Sequence, residues 1–176
     1  MSALRLINET VITSGVTSVD ITNVFSADFD IYSVTVETQS NTGSFDIRTR
    51  FINSSGSVIS ASNYDYAQLF MPVDRAFAEI KATNDSHTAS MLGTTGISPY
   101  GSGAEVWIFN PYSSSSYTFI ISQQIGYWIN AGSPDRAPRK GIAVLKQTAS
   151  MTGFQIYNGT FANGTIRTYG LRVDNG

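Results

Sequence analysis

The sequence contains no cysteine, which excludes a disulfide framework and a thiolate metal site. Charge is also scarce, because only 14% of the 176 residues are charged, against about 25% in ordinary soluble domains. The 11 basic and 13 acidic residues give a formal net charge of −2 and form no basic patch, so we expect no nucleic-acid binding. No run approaches about 18 apolar residues, so we expect no membrane insertion.

The first residues carry Glu9 early and lack the apolar core of a secretion signal. We therefore expect the protein to be made and folded in a cytoplasm. Serine, threonine, asparagine, glycine and tyrosine supply the polarity that charge does not. This composition is typical of sheet surfaces that are buried against neighbouring subunits or exposed to harsh media.

Short runs of alternating apolar and polar residues, separated by turn residues, fill most of the chain. In the run 45–52, Phe45 and Ile47 share one face while Asp46, Arg48 and Arg50 share the other, which is the period of a β-strand. About nine or ten such runs and no long helix predict an all-β protein. We expect a single domain over residues 1–176, an antiparallel β-sandwich of jelly-roll or Greek-key type.

Two segments carry more specific expectations. Near the end of the chain, two β-rich runs flank Asn158-Gly159 and Asn163-Gly164, and Asn-Gly between alternating residues predicts a closing hairpin. In the middle, Pro72 forbids a central strand, and residues 75–81 fit either one or two helical turns or an edge strand. Residues 84–103 are expected to form a loop with at most one short strand, around 88–92.

The candidates for catalysis and metal binding are weak. His87 is the single histidine, and Asp85 and Ser86 adjoin it, but adjacency in sequence does not create a catalytic triad, so we favour an ordinary loop histidine. Asp28 and Asp30 could offer oxygen ligands to Ca²⁺, but capping of a strand entry is the favoured interpretation. We expect no catalytic residue, no metal and no cofactor.

A polysaccharide hydrolase would need two acids facing each other across a cleft. Four acids are available for such a pair: Asp46, Asp65, Asp74 and Glu105. The sequence gives no reason to pair any two of them. We therefore rank a hydrolase below the two non-enzymatic functions described next.

Aromatic residues at strand ends and in loops are candidates for surface binding, because their rings present a large apolar face with a polar handle. Six residues form this candidate set: Tyr64, Tyr66, Tyr100, Tyr112, Tyr127 and Trp128. The alternative is that half or more of such rings fill the core. The sequence leaves both interpretations open.

Five runs combine strand and turn residues in a recognisable order: Val-Phe-Ser-Ala-Asp-Phe-Asp-Ile-Tyr at 24–32, Asn-Ser-Ser-Gly at 53–56, Ser-Asn-Tyr-Asp-Tyr at 62–66, the strand and Asn-Pro stop at 103–112, and the stretch 163–171. Together they resemble small virion proteins of tailed bacteriophages, closest to those of marine cyanobacterial phages. The resemblance spans about 16–171 and is weakest over 67–101. It rests on turns and core aromatics rather than on a catalytic motif.

The resemblance implies a jelly-roll-like structural module of a virion that is not an enzyme and that contacts other virion proteins and copies of itself. A homotrimer is the first expectation. The location is either the tail or fibre apparatus or the capsid exterior, where the protein would serve as a decoration module. The alternative function is a receptor- or glycan-binding module at a fibre tip, which would recognise a host surface glycan through the candidate aromatic residues.

Overall fold

The computed structural model describes residues 3–13, 15–98, 100–130, 133–136 and 138–172. This part of the chain forms thirteen β-strands and no helix. The strands are β1 (Ala3–Ile12), β2 (Val16–Ile21), β3 (Ile31–Ser40), β4 (Phe45–Asn53), β5 (Tyr64–Phe70), β6 (Ala78–Asp85), β7 (Thr88–Ile97), β8 (Ser102–Phe109), β9 (Thr118–Asn130), β10 (Ser133–Arg136), β11 (Arg139–Leu145), β12 (Met151–Phe161) and β13 (Asn163–Arg172).

The strands form two sheets that face each other. Sheet I has the order β1-β13-β3-β8-β9-β11-β5-β6, and sheet II has the order β2-β12-β4-β7. All these pairs are antiparallel, and β10 adds a short antiparallel pair at the end of β9. The sheets are joined where Gln39 and Ser40 of β3 pair in parallel with Gly96 and Ile97 of β7. The predicted all-β, antiparallel sandwich is confirmed.

The core lies between the two sheets, because buried apolar residues of both sheets form one cluster. Val34, Val106 and Ile120 of sheet I are buried in one apolar cluster with Phe51 and Phe154 of sheet II. In β4 the predicted alternation is confirmed: Ile47, Thr49 and Phe51 are buried, whereas the residues between them are half-buried. Phe25 lies against Tyr32 and Phe154, with ring centroids 4.8 and 5.9 Å apart.

The predicted closing hairpin is wrong. β12 pairs with β2 and β4 in sheet II, whereas β13 pairs with β1 and β3 in sheet I. Asn158 and Gly159 have φ values of 89° and 113°, so they do adopt the left-handed region, but they form a bulge inside β12 where its register shifts. The chain then crosses from one sheet to the other at Ala162.

The structure shows which elements the ambiguous middle of the chain, residues 67–82, forms. β5 ends at Phe70 before Pro72, and β6 begins at Ala78 and forms the outermost strand of sheet I. Residues 75–81 therefore lead into an edge strand and not a helix. The segment expected to be mostly loop instead contains β7 and the start of β8. Within the described residues, no helix is long and apolar enough to span a bilayer.

Candidate functional site

The outer surface of sheet I carries large apolar side chains, although several polar residues of the same strands are buried. In β9, Thr118, Ser122 and Gln124 are buried, whereas Phe119 and Ile121 are each 47% exposed. Ile120, between Phe119 and Ile121, is buried in the core, so β9 carries large apolar side chains on both faces, whereas a sheet with one solvated face usually turns polar residues toward water. A soluble protein seldom leaves several large apolar side chains together at its surface unless another molecule covers them.

Strand pairing brings these side chains into two rows across neighbouring strands. Ile121 lies between Trp107 of β8 and Ile142 of β11, and Phe119 lies between Phe109 and Val144. Ile142 is 61% exposed. We call this surface the apolar face, and it comprises Trp107, Phe109, Phe119, Ile121, Ile125, Ile142 and Val144.

A shallow groove of about 790 Å³ runs along the apolar face toward β5 and β6. Its rim carries both signs of charge. The Lys81 ammonium lies 2.8 Å from the Glu79 carboxylate, and the Lys146 ammonium lies 2.8 Å from that of Asp65. The hydrogen bond from Lys146 and the backbone N–H of Asn84 lower the pKa of Asp65. The groove therefore has an apolar floor and an ionised edge.

The polar interior beneath the apolar face is satisfied mainly by β7. Gln68 donates to the carbonyl of Ala89, and Gln124 donates to the carbonyl of Ser90. Arg139 is only 5% exposed, and its guanidinium lies 2.8 Å from the carboxylate of Asp46. It also donates to the Ser90 hydroxyl. These bonds give partners to the two glutamine amide nitrogens and to the Arg139 guanidinium, whereas the Gln68 amide oxygen and the Thr118 hydroxyl have none among the described residues.

The backbone of β7 is shaped to reach these groups. Ser90 has φ 54° and Gly93 has φ 115°, and the pairing between β4 and β7 shifts register between Asp46 and Arg48. Such a bulge turns carbonyls away from the ladder and makes them available to side chains. The carbonyls of Ala89 and Ser90 are thus the acceptors for the glutamines of sheet I.

The five predicted binding residues whose side chains the structure describes do not form one site. The prediction that Tyr64 is a surface-binding residue is wrong, because Tyr64 is fully buried. Its hydroxyl accepts a hydrogen bond from the N–H of Phe51 and donates one to the carbonyl of Ile59. Tyr66 is half-buried at the groove. Tyr100 is exposed and stacks on Tyr127, with ring centroids 4.7 Å apart.

The remaining two residues lie elsewhere. Tyr112 is exposed in the turn after β8. Trp128 belongs to β9, where it pairs with Asp135 of β10, but its side chain lies outside the described residues. Among the candidates whose side chains the structure describes, only Tyr100 and Tyr127 are in contact. Sequence reasoning missed the apolar face because alternation in β9 shows two faces without showing which one is buried.

His87 does not complete a triad with its neighbours. Its Nδ1 lies 3.0 Å from the Asp85 carboxylate and 3.3 Å from the Ser86 hydroxyl. A triad needs the acid and the nucleophile on different ring nitrogens, and here both approach the same one. Burial lowers the pKa of His87, and the Asp85 carboxylate partly offsets this. Among the described residues, no cluster of three or more histidine and acidic side chains is arranged to hold a metal.

No protein-family model matches the chain, and no curated protein matches it. One solved structure similar to it is that of the alginate lyase Aly36B. The match covers 94% of this chain and 80% of that chain, at 10% sequence identity and a TM-score of 0.34. The prediction that this protein is not an enzyme is contradicted by that neighbour and is withdrawn. A likeness of this size assigns no activity to the chain.

Proposed function

We propose that this protein is a structural module of a bacteriophage virion, located in the tail or fibre apparatus or on the capsid exterior. In this proposal it assembles through the apolar face, first with copies of itself and then with other virion proteins. The observation that carries the proposal is the exposure of large apolar side chains on β9, where Phe119 and Ile121 lie outside while Ser122 and Gln124 are buried. The low charge and the resemblance of the sequence to phage virion proteins agree with it.

A second copy of the chain is the occupant we favour for the apolar face. A surface that contacts itself must offer complementary groups within one chain. The rim offers them, because the Lys81 and Glu79 side chains stand beside the groove and Lys140 and Glu105 lie farther along the same face. Contact between this face and the same face of another copy closes a two-fold dimer, whereas the homotrimer implied by the resemblance needs two different faces and stays a prediction.

Oligomeric state tests the assembly step. Ile121→Glu places a charge in the middle of the apolar face without touching the core, so we expect the oligomer to dissociate while the far-UV spectrum is kept. The matched control is Val73→Glu, which changes an exposed aliphatic residue between β5 and β6. Sedimentation velocity measures the oligomeric state of the wild-type protein and of both variants. A monomeric wild-type protein, or an Ile121→Glu variant that assembles like Val73→Glu, would count against the proposal.

The location is tested separately by mass spectrometry of purified phage particles. We expect peptides of this chain at a stoichiometry of a structural component. Particles that lack the chain would show that the virion assignment is wrong, whatever its oligomeric state in solution.

The glycan-binding alternative has one observation in its favour, which is the stacked and solvent-facing pair of Tyr100 and Tyr127. A ring platform of this kind suits a sugar face. Glycan-array binding that is lost in Tyr100→Ala would support this second function.

A further inference from the structure

The outer face of sheet I is ordered in rows, because residues that pair across neighbouring strands stand side by side on the same face. Two adjacent rows are apolar over the middle strands, and Ile121 and Phe119 of β9 stand at their centres. A third row runs beside that of Ile121 and carries charge. We call it the charged row, and it comprises, from β1 to β6, Glu9, Arg167, Thr35, Glu105, Gln123, Lys140, Leu69 and Glu79.

The charges of this row lie at equal distances on either side of β9 and have opposite signs. Glu105 lies one strand to one side of Gln123, and Lys140 lies one strand to the other side. Three strands out from β9, Arg167 and Glu79 form a second pair of the same kind. Glu105 and Lys140 are exposed, and neither forms an ion pair within the described part of the chain. Both charges are therefore available to another molecule.

This arrangement matches what a two-fold axis requires. When two copies of a face pack together about an axis along one strand, each residue on one side of that strand meets the residue equally far to the other side in the second copy. An axis along β9 brings Glu105 opposite Lys140 of the other copy, at two symmetric contacts. In the neighbouring row it brings Trp107 opposite Ile142, so that apolar side chains meet. The strands of the two copies are then aligned, as in ordinary face-to-face sheet packing.

Other two-fold arrangements bring like charges or unlike surfaces together. An axis along β8 places Glu105 against its own copy. An axis along β11 does the same for Lys140 and also places Glu105 opposite Glu79. An axis across the strands keeps each residue on its own strand, so Glu105 meets either itself or Phe109, which lies on the far side of the Ile121 row. Facing like charges select against an interface, and the axis along β9 avoids all of these contacts.

We propose that two copies of this chain pack their apolar faces together about a two-fold axis along β9, with Glu105 of each copy paired with Lys140 of the other. The inference rests on the proposed assembly through the apolar face and specifies its geometry. The apolar rows supply the buried area. The charged row fixes the orientation, because charges across an interface contribute more to specificity than to affinity.

Exchange of the two charges tests this geometry. In Glu105→Lys, lysines face each other at both contacts, and in Lys140→Glu, glutamates do. We expect each variant to weaken dimerisation by about tenfold or more, as measured by sedimentation equilibrium. Mixing the two variants pairs every lysine with a glutamate, so we expect a heterodimer that is as stable as the wild-type dimer. Native mass spectrometry with one variant isotopically labelled distinguishes the heterodimer from the homodimers.

Further variants separate the effect of the pairing from that of charge alone. The double variant Glu105→Lys/Lys140→Glu restores both pairs within one chain and should dimerise like the wild type. Asp20→Lys is the matched control, because it reverses the charge of an exposed residue on β2 in sheet II, and it should leave dimerisation unchanged. Circular dichroism shows whether each variant is folded, and Glu105→Arg with Lys140→Asp provides a second pair should one variant fail to fold.

The geometry is overturned if the mixture stays dissociated, if the single variants dimerise as tightly as Asp20→Lys, or if the wild-type protein is a trimer. Assembly through the apolar face still stands in those cases when Ile121→Glu dissociates the wild-type oligomer, so the two failures are distinguishable. A monomeric wild-type protein overturns the assembly and this arrangement together.

Discussion

The Tyr64 hydroxyl connects two buried backbone groups, and its removal has a calculable effect. It accepts a hydrogen bond from the N–H of Phe51 at 2.9 Å and donates one to the carbonyl of Ile59 at 3.0 Å. Both partner residues are buried, so water does not replace the lost oxygen. Leaving a buried polar group unpaired costs about 1–3 kcal/mol, and Tyr64→Phe leaves two.

We therefore expect Tyr64→Phe to reduce the free energy of unfolding by about 2–5 kcal/mol. For a chain of this length that corresponds to a fall in Tm of roughly 5–20 °C. Urea unfolding followed by intrinsic fluorescence and a thermal melt followed by circular dichroism measure the two quantities. Tyr117→Phe removes the same atom from an exposed ring and should change stability by less than about 0.5 kcal/mol.

The same side chain has a second signature at alkaline pH. Burial raises the pKa of Tyr64 far above its usual value near 10, outweighing the opposing hydrogen bond from Phe51. The unfolded chain then releases the phenol proton at a lower pH than the folded chain, so stability falls as pH rises above about 10. Tyr64→Phe should make this decline shallower. A Tyr64→Phe variant as stable as Tyr117→Phe, with an unchanged alkaline limb, would refute the assignment of these two bonds.

Three further outcomes follow from individual contacts. Because burial lowers the pKa of His87 below its unfolded value of about 6.5, wild-type stability should fall as pH drops below 6.5, and His87→Gln should reduce that slope in urea titrations. Asp46→Asn leaves the buried Arg139 guanidinium without its 2.8 Å carboxylate partner and should cost about 1–3 kcal/mol, whereas a change below about 0.5 kcal/mol would contradict the pairing. Gly159 has φ 113°, and a Cβ at this position would clash with the Phe45 ring. Gly159→Ala should therefore lower the Tm by several degrees, and an unchanged Tm would contradict that geometry.

The fold class could be predicted from the sequence because alternation is a local property. Residues 45–52 show it clearly, and in β4 one of the two predicted faces, with Ile47, Thr49 and Phe51, is buried. Strand partners could not be predicted in the same way, since they depend on distant parts of the chain. Asn158 and Gly159 adopt the backbone conformation that a hairpin requires, yet the partners of β12 are β2 and β4.

The candidate surfaces were harder to predict, for two physical reasons. The pattern of β9 is symmetric with respect to its faces, so Phe119 and Ile121 look like core residues until the glutamines beneath them find acceptors on β7. Tyr64 stands near a loop, but its hydroxyl lies among backbone groups that only the folded chain brings together. Burial at both places is decided by tertiary hydrogen bonds rather than by local composition.

The crossing of the chain between the two sheets has a consequence for the accuracy of folding. Ile12 faces Gly164 in sheet I, and just beyond the crossing Val16 faces Phe161 in sheet II. A slip of β1 against β13 by one residue would turn Ile12 toward water. The covalent connection would transmit that slip into β2, where Ile21 would leave the core as well. A register error in one sheet would therefore remove buried side chains from both sheets, so the crossing favours the correct alignment of the strands.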